Sequence, residues 1–180
     1  MRAHSLLICF LMFAMAADAQ NSVYSISFND LQGATISMNN YQGKKIVVAV
    51  CNTAASAMVR LNSLKSWYQD NKDKYALIVI PVSDLEQTGQ QLDFGKQLLD
   101  TLKPGYVLTA AAKGRKTDAS SQHSLLQWLT DKNRNGRFDN DVETAIQLFV
   151  INEKGNLFAI MENITDLGSE LFRKVINTAP

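Results

Sequence analysis

The run Ile46-Val47-Val48-Ala49-Val50-Cys51, the segment from Ala57 to Asn71, and the run Ala76-Leu77-Ile78-Val79-Ile80-Pro81 together decide the fold class. Both short runs are nearly unbroken and rich in β-branched residues, the composition of strands covered on both faces of a sheet. Between them Met58, Leu61, Leu64, Trp67 and Tyr68 recur at helical spacing with polar residues in the gaps, which predicts a helix with one apolar face. Pro81 is expected to stop the second strand.

Working outward, Leu92 to Leu102 reads as a further helix, ended by Lys103-Pro104-Gly105. Ser124 to Thr130 reads as a short helix carrying Leu125, Leu126, Trp128 and Leu129. Ile146 to Ile151 and Leu157 to Met161 read as strands joined in a hairpin by Asn152-Glu153-Lys154-Gly155. Asp166 to Ile176 is expected to be the closing helix. Apolar runs alternating with amphipathic segments define an α/β layer architecture, and this order of elements resembles a thioredoxin-like fold, a central mixed sheet flanked by helices.

Charge and composition narrow the function classes. The 180 residues carry 18 Lys+Arg against 17 Asp+Glu, a balance that gives no support to a broad nucleic-acid or membrane-surface footprint. Its two cysteines, Cys9 and Cys51, and two histidines, His4 and His123, would all have to converge to build a four-ligand zinc site. Residues 1–19 read as a secretory signal: a short basic start, an apolar stretch from Leu6 to Ala17 too short to span a membrane, and the small-x-small site Ala17-Asp18-Ala19. Lipid attachment at Cys9 is disfavoured because apolar residues continue beyond it. Cleavage before Gln20 leaves one domain, residues 20–180, secreted or periplasmic and without a stable membrane anchor. Its one thiol, Cys51, cannot form an internal disulfide. Asn163-Ile164-Thr165 is a glycosylation sequon, relevant only in a eukaryotic source.

The same residues carry a family resemblance. Tyr24, Asp30-Leu31-Gln32-Gly33, Ile36-Ser37-Met38, Tyr41 and Gly43-Lys44 resemble the opening of glutathione peroxidases, and so does Leu64-Lys65-Ser66-Trp67-Tyr68 leading into the second buried strand. His123 to Leu129 and Phe149 to Asn156 resemble that family's late helix and strand-turn. The resemblance implies a thioredoxin-like fold of glutathione-peroxidase type, with a cysteine or selenocysteine where the first core strand meets the following helix. The helix dipole and exposed amides favour a thiolate there.

Here that position is Ser56. A serine oxygen cannot accept the peroxide's oxygen and pass through a sulfenic state as sulfur does. The glutamine, tryptophan and asparagine that the family sets around the thiolate correspond to Asp84, Thr144 and Ala145. The implied peroxidase chemistry therefore does not carry over. Ser56 as a hydrolytic nucleophile would need an oriented base, and the one candidate, His123, precedes a different helix. The plainer expectation is that Ser56 caps a helix beginning at Ala57. Cys51 lies inside an apolar run, where a buried thiol acts as a small hydrophobe. His123 is expected at the surface near a helix start, with Trp67 and Trp128 in the core.

One further motif has chemistry. Asp131-Lys132-Asn133-Arg134-Asn135-Gly136-Arg137-Phe138-Asp139 places oxygen side chains at positions 1, 3, 5 and 9 of an EF-hand-type loop. Gly136 stands at the sharp turn, and the Arg137 carbonyl would supply position 7. Position 12 is Val142, flanked by Asp141 and Glu143, in place of a bidentate glutamate. The segment reads either as a Ca2+ loop without the full hand or as a solvated connection with an Asn-Gly turn.

Three functions follow: a secreted or periplasmic glutathione-peroxidase-like domain without peroxidase activity that binds an unknown small molecule or protein; a thiol oxidoreductase using Cys51 with an intermolecular partner; and a calcium-stabilised structural module.

Overall fold

The computed structural model describes residues 22–53, 55–85, 105–118, 121–162 and 167–178. The signal segment 1–19, the helix expected from Leu92 to Leu102 and the sequon at Asn163 lie outside these residues. A small antiparallel pair, β1 (Ser27–Asn29) and β2 (Thr35–Ser37), precedes the main sheet. The main sheet contains β3 (Lys45–Asn52), β4 (Tyr75–Val82), β5 (Val107–Leu108), β6 (Ile146–Ile151) and β7 (Leu157–Glu162), in the order β5-β4-β3-β6-β7. β3, β4 and β5 run parallel, while β6 and β7 are antiparallel to their neighbours. The helices are α1 (Ala55–Asn71), α2 (Ser124–Thr130), α3 (Lys132–Asn135) and α4 (Glu170–Asn177).

All eight residues of β3 are buried, because the sheet is covered on both sides and successive side chains alternate between them. Val47, Ala49 and Cys51 face one core with Leu61 and Leu64 of α1 and Phe172 and Ile176 of α4. Ile46, Val48 and Val50 face the other, with Leu125, Leu126, Trp128 and Leu129 of α2. Trp128 is buried as expected, whereas Trp67 is half-buried. It stacks on Tyr75 and meets Phe172 edge-on, each with centroids 5.3 Å apart.

Pro81 does not stop the second strand. It pairs with Cys51 inside β4, and its carbonyl accepts from the Ala112 N–H at 3.0 Å, on the side away from β3. β5 meets only Ile78 and Val79, so the N–H that proline lacks removes no ladder bond there. The closing helix starts at Glu170 rather than Asp166, where the Ser169 hydroxyl accepts from the Phe172 N–H. The hairpin between β6 and β7 closes as expected. Asn152 exchanges backbone bonds with Gly155 and Asn156, and Gly155 takes φ 80° against the Tyr24 ring, where an added Cβ would lie 2.6 Å from a ring carbon.

At the other end of β3 a buried cation ties the last helix to the sheet. The Lys45 ammonium donates to the carbonyls of Ile176 and Thr178, both at 2.7 Å, and lies 3.7 Å from the Glu153 carboxylate. Free carbonyls at a helix C-terminus favour a cation there.

Candidate functional site

Parallel β3 and β4 end where antiparallel β6 begins, so one edge of the sheet collects the positions that the sequence singled out. Asn52 pairs with Val82 and Cys51 with Ile146, and the Asn52 N–H donates to the Ala145 carbonyl at 3.0 Å. Ser56 lies in the first turn of α1. That helix begins at Ala55, so Ser56 is inside it and not its N-cap, a correction of the sequence expectation. The run after Asn52 turns into helix sooner than the polar Asn52-Thr53 pair suggests.

The partners at this edge are structural. Thr144 donates its hydroxyl to the Ile146 carbonyl at 2.8 Å. Asp84 accepts from the backbone N–H groups of Gly114, at 2.8 and 3.0 Å, and of Arg115, at 2.9 Å. Partial burial disfavours its charge, but these donors and Lys113 outweigh that and hold the carboxyl below its usual range. Asp84 thereby clasps the strand-like segment at Ala112 and Lys113 against the end of β4. Sequence gave no sign of this clasp because its donors are main-chain groups, which no residue pattern records.

Cys51 is fully buried among apolar side chains, and burial pushes its thiol up to about 12. At neutral pH the thiolate, the nucleophilic form, is then on the order of one molecule in 10⁵. Tyr106 is buried in the same cluster, and its hydroxyl is pushed up by burial and then by Cys51. Neither group has the exposed, electropositive surroundings of a reactive thiol.

His123 belongs to the opposite layer from Ser56. It is the N-cap of α2, with Nδ1 accepting from the Leu125 N–H at 3.2 Å, and its ring stands edge-on to Phe28 at 4.9 Å. Burial pulls its imidazole down to about 4. The intervening sheet separates it from α1 and leaves a hydrolytic serine without its base. The expectation of a surface histidine is corrected to that of a partly buried cap.

The Asp131 to Glu143 loop folds around protein partners. Asp131 caps α3 by accepting from the Asn133 N–H, and its other oxygen lies 3.4 Å from Arg134 Nε. Asn135 is completely buried. Its Nδ2 donates to the carbonyls of Trp128, Leu129 and Phe138, while its Oδ1 accepts from the Arg137 and Phe138 N–H groups. Asp139 pairs with Lys116. Asp141 accepts from the Lys116 and Val142 N–H groups, and Val142 is buried. A calcium ion takes six to eight oxygens. As folded, positions 1 and 9 carry lysine or arginine partners and position 5 is withdrawn into the core, so the donor set does not fit that ion. Among the described residues no group of three or more His, Cys, Asp or Glu side chains is placed to hold a metal.

No protein-family model matches the sequence, nor does any curated protein. Solved structures do resemble it. A structure described as Trgpx in apo form is 16% identical, covers 88% of this chain and 99% of its own, and superposes with a TM-score of 0.62. GPX1 of T. cruzi is 12% identical over 78% of this chain and 86% of its own, with a TM-score of 0.56. A DsbF homologue from Corynebacterium diphtheriae is 14% identical over 87% and 85%, with a TM-score of 0.59. The fold is therefore thioredoxin-like, of the type shared with glutathione-peroxidase-like proteins. Fold alone does not supply an activity.

Proposed function

We propose that this chain is an exported, thioredoxin-fold binding domain of glutathione-peroxidase type that does not reduce peroxides. The observation that carries this reading is the burial of Cys51. The mature chain's one thiol is sealed in the sheet, while the position at the start of α1 holds Ser56. Reduction of a peroxide requires a sulfur or selenium atom that meets the peroxide and is regenerated by a second thiol. A thiol oxidoreductase working through Cys51 would need the β3–α1 packing to open at every turnover.

Export rests on the residue 1–19 pattern, and no helix among the described residues is long and apolar enough to cross a membrane. The test is peroxide consumption by purified mature protein with glutathione or thioredoxin as electron donor. No turnover above the donor's own rate is expected. Turnover that persists after removal of contaminating enzymes and disappears in Cys51→Ser would establish the oxidoreductase instead.

A further inference from the structure

We propose that the outer surface of α2 is an anion-binding groove, suited to a small phosphorylated or carboxylated molecule that also carries hydroxyl groups. Two cavities adjoin there and share Gln127 and Arg134 as a common wall. One, of about 190 Å³, is reached by Lys116, Gln122, Thr130 and Asp131. The other, of about 230 Å³, is lined by Ser25, Ile26, Ser27, Ser124 and Trp128; the Ser25 hydroxyl donates to the Ser22 carbonyl and that of Ser124 to the Ser27 carbonyl. Each is smaller than the 300–1,000 Å³ of drug-sized sites, which limits the occupant to a small molecule.

The first cavity has two cations to one carboxylate. Arg134 lies 3.4 Å from Asp131 through Nε and donates to the Gln127 Oε1 from Nη1 at 3.1 Å. These contacts fix the plane of the guanidinium while leaving it further donors in a fork suited to carboxylate or phosphate oxygens. Lys116 is held at the rim by Asp139, whose side chain is 64% exposed. Behind them Gln122 bonds Thr130 and the Gly114 carbonyl, and Gln127 donates to the Gln122 carbonyl. The wall is thus pre-formed.

The surrounding sequence has the same bias: residues 113–137 contain six Lys or Arg and two acids. The next acids, Asp139, Asp141 and Glu143, counter part of this charge: Asp139 pairs with Lys116 and offsets it, while Asp141 is held by backbone N–H groups. The loop that reads as a calcium site turns its carboxylates onto lysine and arginine, and the resulting cavity suits the opposite charge.

The inference deepens the binding-module reading by naming a ligand class. It can fail separately, because peroxide turnover is measured without any added anion. Calorimetry and amide-shift mapping on the mature chain would use inorganic phosphate, glycerol 3-phosphate, malonate and, as the uncharged control, glycerol. Saturable binding of phosphate or malonate is expected, with shifts at Lys116, Ser124 and Gln127. Binding should weaken about tenfold or more in Arg134→Gln and in Lys116→Gln. Glycerol 3-phosphate should bind more tightly than phosphate, and glycerol not at all. Should Arg134→Gln fail to fold, Lys116→Gln gives the same reading. Absence of saturable anion binding, or binding undiminished in the folded variants, would overturn the proposal. Equal affinity for phosphate and glycerol 3-phosphate would remove the serine-lined cavity from it.

Discussion

Asn135 donates its side-chain amide to the Trp128 carbonyl at 3.0 Å, from a loop position where sequence alone would place a metal ligand. The same NH2 group reaches the Leu129 and Phe138 carbonyls. It therefore satisfies buried C-terminal carbonyls that α2 itself leaves without a partner and binds that helix to the connection beyond it.

An aspartate at this position separates the two readings of the loop. In a calcium loop Asn135→Asp adds a charge that favours the ion. In this fold the carboxylate cannot donate to three buried carbonyls, so the variant should lose about 2–4 kcal/mol of stability. Urea unfolding of wild type and Asn135→Asp, each with and without about 1 mM calcium, should show the loss and no calcium-dependent change in either midpoint. A midpoint raised by calcium would restore the metal reading.

Position 56 and Cys51 should differ sharply as thiol sites. In the native protein Cys51 should not react with an aromatic disulfide reagent and should react fully once unfolded. In Ser56→Cys the added thiol, in the first turn of α1, should react in the native state with a pKa below the free value of about 8.5. Counting released thiolate against pH checks both. Rapid native labelling of wild type would contradict the sealed position of Cys51.

Acid should weaken the fold in two separate ranges. Burial lowers the His123 pKa to about 4 from an ordinary 6.5. A group depressed in the folded state stabilises it above the unfolded pKa, so this contribution is lost as pH falls from about 6.5 through 4 and amounts to at most about 3 kcal/mol. His123→Asn keeps a capping side chain and should flatten stability over that range. The lowered Asp84 pKa acts below about pH 4, where protonation releases the Gly114 and Arg115 N–H groups. Urea midpoints from pH 8 to 3 for the wild type, His123→Asn and Asp84→Asn would show whether the two slopes separate.

Lys45→Met should destabilise the protein by about 2–4 kcal/mol, since it removes the donor to the Ile176 and Thr178 carbonyls and leaves Glu153 without its cation. Amide exchange should accelerate first in α4. Stability equal to or above wild type would mean that packing, and not the ammonium, anchors the C-terminal helix.

Much of the fold was legible because its strongest signals are local. β3 and β4 announce themselves through unbroken β-branched runs, α2 falls on Ser124–Thr130 as its apolar spacing predicts, and the β6–β7 turn is marked by Asn152 and Gly155. Misplaced boundaries fall where a distant partner overrides local preference. Pro81 is tolerated in β4 because β5 is too short to need its N–H, and α4 begins where Ser169 can cap it. The candidate site was legible only as residue identities. Ser56, Asp84, Thr144 and Ala145 do come to one end of the sheet, but the main-chain donors that occupy Asp84 are invisible in sequence.

By itself, then, the sequence determined the α/β layering and the absence of a sulfur at position 56, since periodicity and residue type are properties of the chain alone. Only the tertiary structure decided what its polar groups face. Strand alternation sealed Cys51 in one layer and the sheet kept His123 in the other. Folding of the Asp131 loop placed its carboxylates beside Lys116 and Arg134. Charge pairing and burial depend on separations through space between residues far apart in the chain, and those distances exist only once the layers have packed.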